Sequence, residues 1–357
     1  MLEDGSLLYF DDNHSSVAGA RRLVELDADD AGGRALMAKV LVTGATGFIG
    51  GALASALRAR GHEVVAMVGS VGSALPEGVA RWVAPRLPAV APDAVEVLRG
   101  FDAVVHAAAR AHVLDETASD PLAAYRDANT AGTVALARAA AAAGVRRFVF
   151  LSSIGVNGSA SGAAPFRADG VPRPDSPYAE SKWEAEQALD ALAAGPGNPS
   201  GMTVHHVRPP LVYGRGARGN FALLVRLVGT GLPLPLGALR APRSFVALDN
   251  LVDMLVRLVE HPAPPVGALL AADAEVTTTA DFVRAIAGAM GRRASLVPVP
   301  ERLLRTVAGV VGRGDQVRKL AVPLVVDITA TRERLGWQPP WTMQQALSKA
   351  FAGPRTG

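Results

Sequence analysis

The sequence predicts an α/β protein: a doubly wound parallel sheet with a smaller, mostly helical C-terminal lobe. Between residues 39 and 209, short β-rich runs alternate with Ala-rich stretches of helical length. The short runs are apolar almost throughout, which is typical of strands that a parallel sheet buries on both faces. A glycine-rich turn joins the first run to the first helical stretch. Strands and helices that alternate in this way form βαβ units, so helices should flank the sheet.

The individual elements follow from local composition. The expected strands are "KVLVTG" (39–44), "EVVAMV" (63–68), "DAVVHAA" (102–108), "RFVFLSS" (147–153) and "TVHHVRP" (203–209). The expected helices are "GFIGGALASALRARG", "DPLAAYRDANTAGTVALARAAAAAG" and "SPYAESKWEAEQALDALAAG". Asp120 precedes Pro121, which predicts an N-cap followed by proline in the first turn. Gly61, Gly144 and Gly195 should end the three helices.

The chain divides into three parts. Residues 37–209 should form the sheet domain, and residues 210–357 should form the second lobe, with 244–260 returning to the first domain. Prolines and glycines become frequent after residue 210, and helical stretches then dominate. Residues 1–36 do not share the alternating pattern. We expect them to lie outside the fold, either as a vestigial extension or because translation is assigned to an upstream start codon.

Composition excludes several classes of function. The chain has no cysteine, so disulfides, thiolate metal sites and a cysteine nucleophile are excluded, and no metal site is expected. The net charge is only +3 and the basic residues are scattered, which argues against a nucleic-acid partner. No apolar run reaches the roughly 18 residues that a membrane span requires, and the N-terminus lacks the pattern of a signal peptide. We therefore expect a cytoplasmic protein without a membrane span.

The glycine-rich turn predicts a dinucleotide site. Gly44, Gly47 and Gly50 follow a strand and enter a helix, with the spacing G-x-x-G-x-x-G. Glycine permits a tight turn and close approach of the backbone to a pyrophosphate, and the helix N-terminus supplies unpaired N–H groups. At the end of the second strand, an acid would favour NAD and an arginine would favour NADP. The residues there are Val68, Gly69 and Ser70, so the sequence leaves the choice between NAD and NADP open.

A tyrosine and a lysine lie four residues apart at the start of the third helix, in "SPYAESKWEAE" (176–186). Residues separated by four positions share one face of a helix. Tyr178 and Lys182 should therefore be neighbours, but this spacing is common and does not by itself distinguish a catalytic pair from ordinary packing.

Taken together, the motifs resemble a known family. They are, in order, "TGATGFIG" (43–50), "HAAA" (106–109), "DANTAGT" (127–133), "LSSIGVNG" (151–158), "PYAESK" (177–182), "RPPLVYG" (208–214) and "RSFVALDNLVDM" (243–254). From about residue 38 to 350 the chain resembles the extended short-chain dehydrogenases/reductases of the NAD-dependent epimerase/dehydratase family. It is most similar to the bacterial UDP-glucose 4-epimerase-like branch, which includes UDP-sugar 4-keto-reductases and occurs with surface-polysaccharide genes. The resemblance implies a Rossmann domain at 37–209 and a substrate-binding lobe at 210–357.

The resemblance also implies a catalytic set. Tyr178 would be the acid/base, Lys182 its activator, and Ser153 the hydroxyl that holds the substrate oxygen, with Ser152 as the weaker choice. A tyrosine with an ordinary pKa of about 10 is a poor base at neutral pH. A nearby ammonium and the positive cofactor ring would favour the phenolate and lower that pKa.

Further contacts come from the same resemblance. The expected cofactor contacts are Gly44, Thr46, Gly47, Phe48, Ile49, Gly50, Ala107, Ala108, Ala109, Asn129, Tyr178 and Lys182. The expected substrate contacts are Ser153, Asn220 and Arg243. Asn220 could equally be an ordinary N-cap, and Asp249 is expected to cap a helix rather than to bind substrate.

The function implied is that of an NAD(P)-dependent enzyme acting at C4 of a nucleotide sugar, with UDP as the expected nucleotide. The same Ser, Tyr and Lys would serve a 4-epimerase or a one-way 4-keto-reductase, so both stay open. A 4,6-dehydratase is not expected, because Ile154 and Gly155 stand where that subgroup has an Asp-Glu pair. The alternatives are a non-catalytic dinucleotide-binding regulator and a reductase of a non-nucleotide ketone. The sequence leaves the oligomeric state open, with a homodimer as the candidate.

Two segments depart from the family pattern. "GRGDQVRKL" (312–320) is not a clear substitute for the Arg-x-x-Asp that some epimerases place on the uridine diphosphate. "LLYFDDNHSSVAGARRLVE" (7–25) resembles the last segment of SGNH-type hydrolases, where Asp11 and His14 would belong to a serine triad. No partner serine block accompanies it, so catalysis by this segment is not expected.

Overall fold

The computed structural model describes residues 37–111, 120–300, 302–304, 306 and 320–352. The chain forms two compact units. Among the described residues, the first unit comprises those from 37 to 152, 176–207 and 255–268, and the second comprises 153–175, 208–254 and those from 269 to 352. The first unit therefore ends after residue 207 rather than 209, and the returning stretch is 255–268 rather than 244–260. The expectations for Asp11 and His14, and nearly all of "GRGDQVRKL", lie outside the described residues.

The segment 153–175 belongs to the second unit, although the sequence pattern predicted it in the first domain. Its backbone is bonded to the 322–327 stretch: the Phe166 amide donates to the Val325 carbonyl at 2.8 Å, and the Ser161 amide donates to the Pro323 carbonyl at 2.9 Å. These hydrogen bonds join residues far apart in sequence, so local composition gave no indication of them.

The main sheet has seven strands, in the order β3-β2-β1-β4-β5-β6-β9. The strands are β1 (Lys39–Thr43), β2 (Glu63–Val68), β3 (Ala80–Val83), β4 (Ala103–His106), β5 (Arg147–Leu151), β6 (Thr203–Arg208) and β9 (Gly267–Leu270). The pairs from β3 through β6 are parallel. The predicted parallel sheet is thus confirmed. The order of the strands reverses at β1, whose neighbours are β2 and β4, and ligands of such sheets bind at the carboxyl ends of the strands at this switch point.

Helices flank this sheet. They are α1 (Phe48–Ala59), α2 (Ala94–Leu98), α3 (Pro121–Tyr125), a π-helix (Arg126–Ala131), α4 (Gly132–Ala142) and α5 (Pro177–Ala194). The Asp120 side chain accepts a hydrogen bond from the Ala123 amide at 3.0 Å, as expected of an N-cap. The single helix expected over 120–144 is instead interrupted by the π-helix. A buried cluster that includes Leu41, Phe148 and Leu189 forms the apolar core.

The second unit contains a three-stranded sheet in the order β10-β8-β7. Its strands are β7 (Leu211–Tyr213), β8 (Pro242–Ala247) and β10 (Val276–Thr278). From residue 220 onward, the helices that the structure describes over their full length are α6 (Asn220–Gly229), α7 (Leu248–Glu260), α8 (Thr279–Ala289), α9 (Thr329–Leu335) and α10 (Met343–Phe351). The Phe245 and Phe282 rings stack with centroids 4.1 Å apart in its core. The C-terminal region is mostly helical, as predicted, while its small sheet was not predicted.

Candidate active site

The glycine-rich turn packs tightly beneath the start of α1. Gly44 follows β1 with φ +69°, a conformation that side chains rarely adopt. The Gly47 amide donates to the Gly44 carbonyl at 2.9 Å, which closes the turn. A Cβ atom on Gly50 would lie 2.2 Å from the Gly44 carbonyl oxygen. The close approach of helix and turn therefore depends on glycine at both positions.

The turn fits the diphosphate of a dinucleotide. Gly47 is the N-cap of α1 and has no side chain with which to cap the helix. The first turn contains Phe48, Ile49 and Gly50 and carries no acidic side chain. The positive end of the helix dipole and the first-turn N–H groups are thus left for an anion. The expected contacts from Gly44 to Gly50, with Thr46 among them, lie in this turn.

The loop after β4 meets the turn at the switch point of the sheet. A Cβ atom on Gly44 would lie 2.9 Å from both the Ala107 carbonyl carbon and the Ala108 amide nitrogen. The Ala108 amide donates to Thr43 Oγ1 at 3.1 Å. The two segments predicted to contact a cofactor, 44–50 and 107–109, are therefore in direct contact.

A chain of buried hydrogen bonds connects this loop to the π-helix. Thr133 Oγ1 donates to the Asn129 carbonyl at 2.6 Å, so it accepts from His106 Nε2 at 2.9 Å. His106 Nδ1 then accepts from Thr43 Oγ1 at 2.7 Å. This fixes one neutral tautomer of the imidazole. Burial, with the nearby charge of Lys182, lowers the pKa of His106 to about 3, so the ring stays neutral at physiological pH.

Asn129 is held on three sides within the π-helix. Its Oδ1 accepts from the Arg110 amide at 2.8 Å, and its Nδ2 donates to the Arg110 carbonyl and to Ser181 Oγ, each at 3.1 Å. Thr130 Oγ1 donates to the Ser181 carbonyl at 2.9 Å. The extra residue in the π-helical turn therefore directs consecutive side chains toward the β4 loop and α5. Such turns are frequent at functional sites.

Tyr178 and Lys182 lie on the first turns of α5. Ser176 caps this helix by accepting from the Ala179 amide at 3.3 Å, and Pro177 follows. Lys182 is almost fully buried, and its Nζ lies 6.0 Å from the centroid of the Tyr178 ring. The same Nζ donates to the Leu151 carbonyl at 3.0 Å and lies 4.4 Å from the centroid of the Phe150 ring. The end of β5 thus fixes the lysine one helical turn from the tyrosine.

Burial dominates the electrostatics of this pair. Burial raises the pKa of Tyr178 above its ordinary value of 10, and the neighbouring Tyr125 adds to this. Burial lowers the pKa of Lys182 from 10.5 to about 7, opposed by the charge of Glu186. Loss of solvation thus sets the direction of both pKa shifts in the protein alone. The expected lowering of the Tyr178 pKa, which also requires the positive cofactor ring, stays a prediction.

Ser153 begins the second unit, directly after the buried Ser152. It is the N-cap of a 3₁₀ turn over Ile154–Val156, and its Oγ accepts from the Gly155 amide at 3.1 Å. Within the part of the chain that the structure describes, the Ser153 hydroxyl hydrogen has no acceptor. The turn consists of Ile154, Gly155 and Val156, so it places no carboxylate beside this serine.

The other predicted substrate contacts also lie in the second unit. Gly219 is the N-cap of α6 and Asn220 is its first residue, so the expectation of Asn220 as an N-cap is wrong. Arg243 lies on β8, where its Nη1 donates to the Val322 carbonyl at 3.0 Å and burial lowers its pKa. Asp249 lies in the first turn of α7 and accepts from Lys349 Nζ at 3.1 Å.

Comparison with known proteins decides the family. The model described as the NAD dependent epimerase/dehydratase family matches residues 40–268. This chain belongs to that family. A UDP-glucose 4-epimerase of Vibrio cholerae is 38% identical over 320 residues, covering 89% of this chain and 96% of that protein. A UDP-glucose 4-epimerase of Mycolicibacterium smegmatis is 31% identical over 324 residues, covering 87% and 96%. The crystal structure of a Thermus thermophilus UDP-glucose 4-epimerase complexed with NAD is 26% identical, with a TM-score of 0.68, and covers 88% of this chain and 98% of that one.

Family membership confirms the predicted resemblance, the fold and the nicotinamide dinucleotide as cofactor. The family description names NAD. In the described part of the chain, no three His, Asp or Glu side chains gather to hold a metal ion. Among those same residues, no helix is long and apolar enough to cross a membrane.

Several residues that support the family site were not predicted from the sequence. His106 and Thr133 stand within the quoted motifs, and Thr43 ends β1, yet none was assigned a role. Tyr125 was also missed: its ring meets the Tyr178 ring edge-on with centroids 6.0 Å apart, and Arg110 Cζ lies 5.4 Å from the Tyr125 centroid. Polar residues that end two adjacent apolar strands, Thr43 and His106, were the signal available in the sequence.

Proposed function

We propose that this protein is a UDP-sugar 4-epimerase that uses a nicotinamide dinucleotide and Tyr178 as its proton-transfer group. The observation that carries the proposal is the Tyr178–Lys182 pair on α5, in the same unit as the glycine turn and the 107–109 loop. The names of the relatives support it: the Vibrio and Mycolicibacterium proteins are UDP-glucose 4-epimerases, and this chain matches nearly the whole length of each.

The proposed reaction begins with removal of hydrogen from C4 of the sugar. When bound, the dinucleotide would supply the hydride chemistry at C4 and, in its oxidised state, a positive charge in the site. Tyr178 accepts the proton of the 4-hydroxyl as the 4-keto sugar forms, and gives it back when hydride returns to the opposite face. Lys182, with a pKa near 7, supplies positive charge when protonated and favours the phenolate in that step.

The remaining residues hold the substrate in this proposal. Ser153 donates its hydroxyl hydrogen to the C4 oxygen and stabilises the charge that develops on it. Arg243 binds the diphosphate, because a guanidinium fork matches phosphate oxygens. Asn220 binds the sugar or the diphosphate. Asn129 and the Thr43–His106–Thr133 chain act only as positioning groups.

A one-way 4-keto-reductase is the second candidate, because the same side chains would serve it. Each turnover would then consume one reduced dinucleotide and one proton and would leave the sugar with a 4-hydroxyl group. An epimerase returns the hydride to the sugar and therefore consumes no reduced dinucleotide. A non-catalytic regulator and a reductase of non-nucleotide ketones stay as weaker alternatives; an intact Tyr178–Lys182 pair favours an enzyme.

The test is to incubate the purified protein with UDP-glucose or UDP-N-acetylglucosamine and catalytic NAD⁺ or, in parallel, NADP⁺, and to separate the C4 epimers by ion-pair chromatography. We expect the epimer to accumulate to equilibrium without stoichiometric change in the absorbance of the reduced dinucleotide. A parallel incubation with a UDP-4-keto-6-deoxy sugar and NADPH tests the reductase, which would consume NADPH in proportion to product. Failure of both incubations, with dinucleotide bound, would contradict action at C4.

Three further parts of the proposal concern the cell and the assembly. We propose a cytoplasmic location, a part in surface-polysaccharide sugar synthesis and, as the assembly, a homodimer. Light scattering on the purified protein measures the assembly directly. A 4,6-dehydratase activity is not proposed, since Ile154 and Gly155 supply no carboxylate.

A further inference from the structure

The carboxyl end of β2 is where the adenosine ribose of a dinucleotide would lie. β2 is the neighbour of β1 on the side away from β4, and the glycine turn at the end of β1 directs the diphosphate to α1. In sheets of this order, the residue after β2 distinguishes a ribose 2′-hydroxyl from a 2′-phosphate. No Asp or Glu occurs from Val64 to Pro76. The acid that would accept from a 2′-hydroxyl is therefore missing from this position.

A cationic side chain from the loop after β3 lies beside the carboxyl end of β2. Arg86 follows β3, and a Cβ atom on Gly69 would lie 3.7 Å from Arg86 Cγ and 3.8 Å from Arg86 Nε. The arginine is exposed to solvent, as is Ser70, whose hydroxyl is 3.2 Å from that of Ser73. The residue directly after β2 is glycine, so the arginine side chain can pass over the backbone there.

The backbone around Arg86 is fixed in position. The Ala84 amide donates to the Val68 carbonyl at 3.0 Å, which extends the β2–β3 pairing, and the Ala89 amide donates to the Arg86 carbonyl at 3.1 Å. Leu87 is buried, and a Cβ atom on Gly132 of α4 would lie 2.6 Å from its Cβ. The guanidinium is thus presented by an anchored loop, which reduces the entropy lost when it binds an anion.

We propose that Arg86, with Ser70, recognises the adenosine 2′ position of the cofactor and favours a 2′-phosphate, so that the protein binds NADP(H) in preference to NAD(H). A guanidinium pairs with a phosphate through two charge-assisted hydrogen bonds, and no carboxylate at the end of β2 repels that phosphate. The inference rests on the dinucleotide site of the proposed function and adds the specificity of that site.

Calorimetry of the purified protein with NADP⁺, NAD⁺, adenosine 2′,5′-bisphosphate and AMP tests the proposal without any sugar turnover. We expect NADP⁺ to bind at least about tenfold more tightly than NAD⁺. Arg86→Ala should weaken NADP⁺ and adenosine 2′,5′-bisphosphate by about 10- to 100-fold, and NAD⁺ and AMP by less than about twofold. The control Arg81→Ala removes an exposed arginine of β3 and should leave all four affinities within about twofold of wild type.

Two further measurements sharpen the result. Arg86→Lys keeps the charge but loses the fork, so it should retain part of the preference. The preference should also shrink as salt is raised, because the exposed phosphate–guanidinium pair is screened. Equal affinity of the wild type for NADP⁺ and NAD⁺, or equal weakening of both by Arg86→Ala, would overturn the proposal. Neither result would contradict the proposed action at C4. If neither dinucleotide binds, both the proposed function and the proposed 2′-phosphate recognition are contradicted.

Discussion

Tyr178 is the single residue on which the proposed chemistry depends most. Burial raises its pKa, so the phenol is protonated at neutral pH and can act as the acid that returns a proton to a 4-keto sugar. Tyr178→Phe removes only the hydroxyl, and we expect turnover to fall by about 10²- to 10⁴-fold, the usual contribution of a general acid/base. Dinucleotide affinity should stay unchanged. Tyr125→Phe, on the ring that meets Tyr178 edge-on, is the matched control and should keep most of the activity. Full turnover by Tyr178→Phe would remove the tyrosine from the mechanism.

Lys182 gives a prediction about stability at the same scale. Its pKa falls from 10.5 in the unfolded chain to about 7 in the folded protein. Between these values the unfolded chain binds a proton that the folded protein lacks, so the free energy of unfolding rises with pH. The slope from one group cannot exceed about 1.4 kcal/mol per pH unit. Urea unfolding of the dinucleotide-free protein from pH 7 to 9.5 should show this rise, and Lys182→Met should flatten it. Parallel curves for the two proteins would show that the lysine is not desolvated.

At the scale of an element, the entry into α1 depends on a glycine that sequence alone identified. Gly50→Ala places a methyl group 2.2 Å from the Gly44 carbonyl oxygen, which should cost about 1–3 kcal/mol of stability through overpacking and abolish measurable dinucleotide binding. Gly288→Ala is the matched control, since Gly288 also lies in a helix and its Cβ would meet nothing within 4 Å. That change should instead stabilise the protein by about 0.5–1 kcal/mol. Urea unfolding and calorimetry measure both effects. Normal dinucleotide affinity in Gly50→Ala would mean that the turn can relax without loss of its function.

The π-helix and its hydrogen-bond chain form the second element that can be tested. Thr133→Val keeps the shape of the side chain but leaves the His106 Nε2 hydrogen and the Asn129 carbonyl without the hydroxyl between them. Because both groups are buried, we expect a loss of about 1–3 kcal/mol in the free energy of unfolding. Thr230→Val removes a hydroxyl that is bonded to a helix carbonyl but exposed, where water can replace it, and should cost less than about 0.5 kcal/mol. Equal losses in the two variants would contradict a special role for the buried chain.

Across the whole molecule, the sequence predicted what local pattern determines and missed what distant contacts determine. The five predicted strands begin at or within one residue of the observed ones, because each is a long apolar run. β3, with the sequence "ARWV", and the short strands of the second unit were missed because they are brief and partly exposed. The π-helix was also missed, since its interruption depends on where Asn129, Thr130 and Thr133 find partners. Tyr178, Lys182 and the glycines were identifiable because motifs fix them, whereas Arg86 approaches Gly69 only through the pairing of β2 with β3.

The last prediction concerns how much of the chain the fold requires. The first described contacts of the sheet involve Ala38, whose amide donates to His62 Nδ1 at 3.2 Å, and Lys39, whose amide donates to Asp102 Oδ2 at 2.8 Å. The family model also begins only at residue 40. We expect a variant that starts at Met37 to retain all of these contacts and to bind the dinucleotide with unchanged affinity. Because these contacts are kept, its unfolding midpoint should lie within about 2 °C of that of the full chain. Differential scanning calorimetry and titration of both proteins measure this. A fall of the midpoint well beyond that range would show that residues 1–36 pack on the fold and would contradict the expectation that they lie outside it.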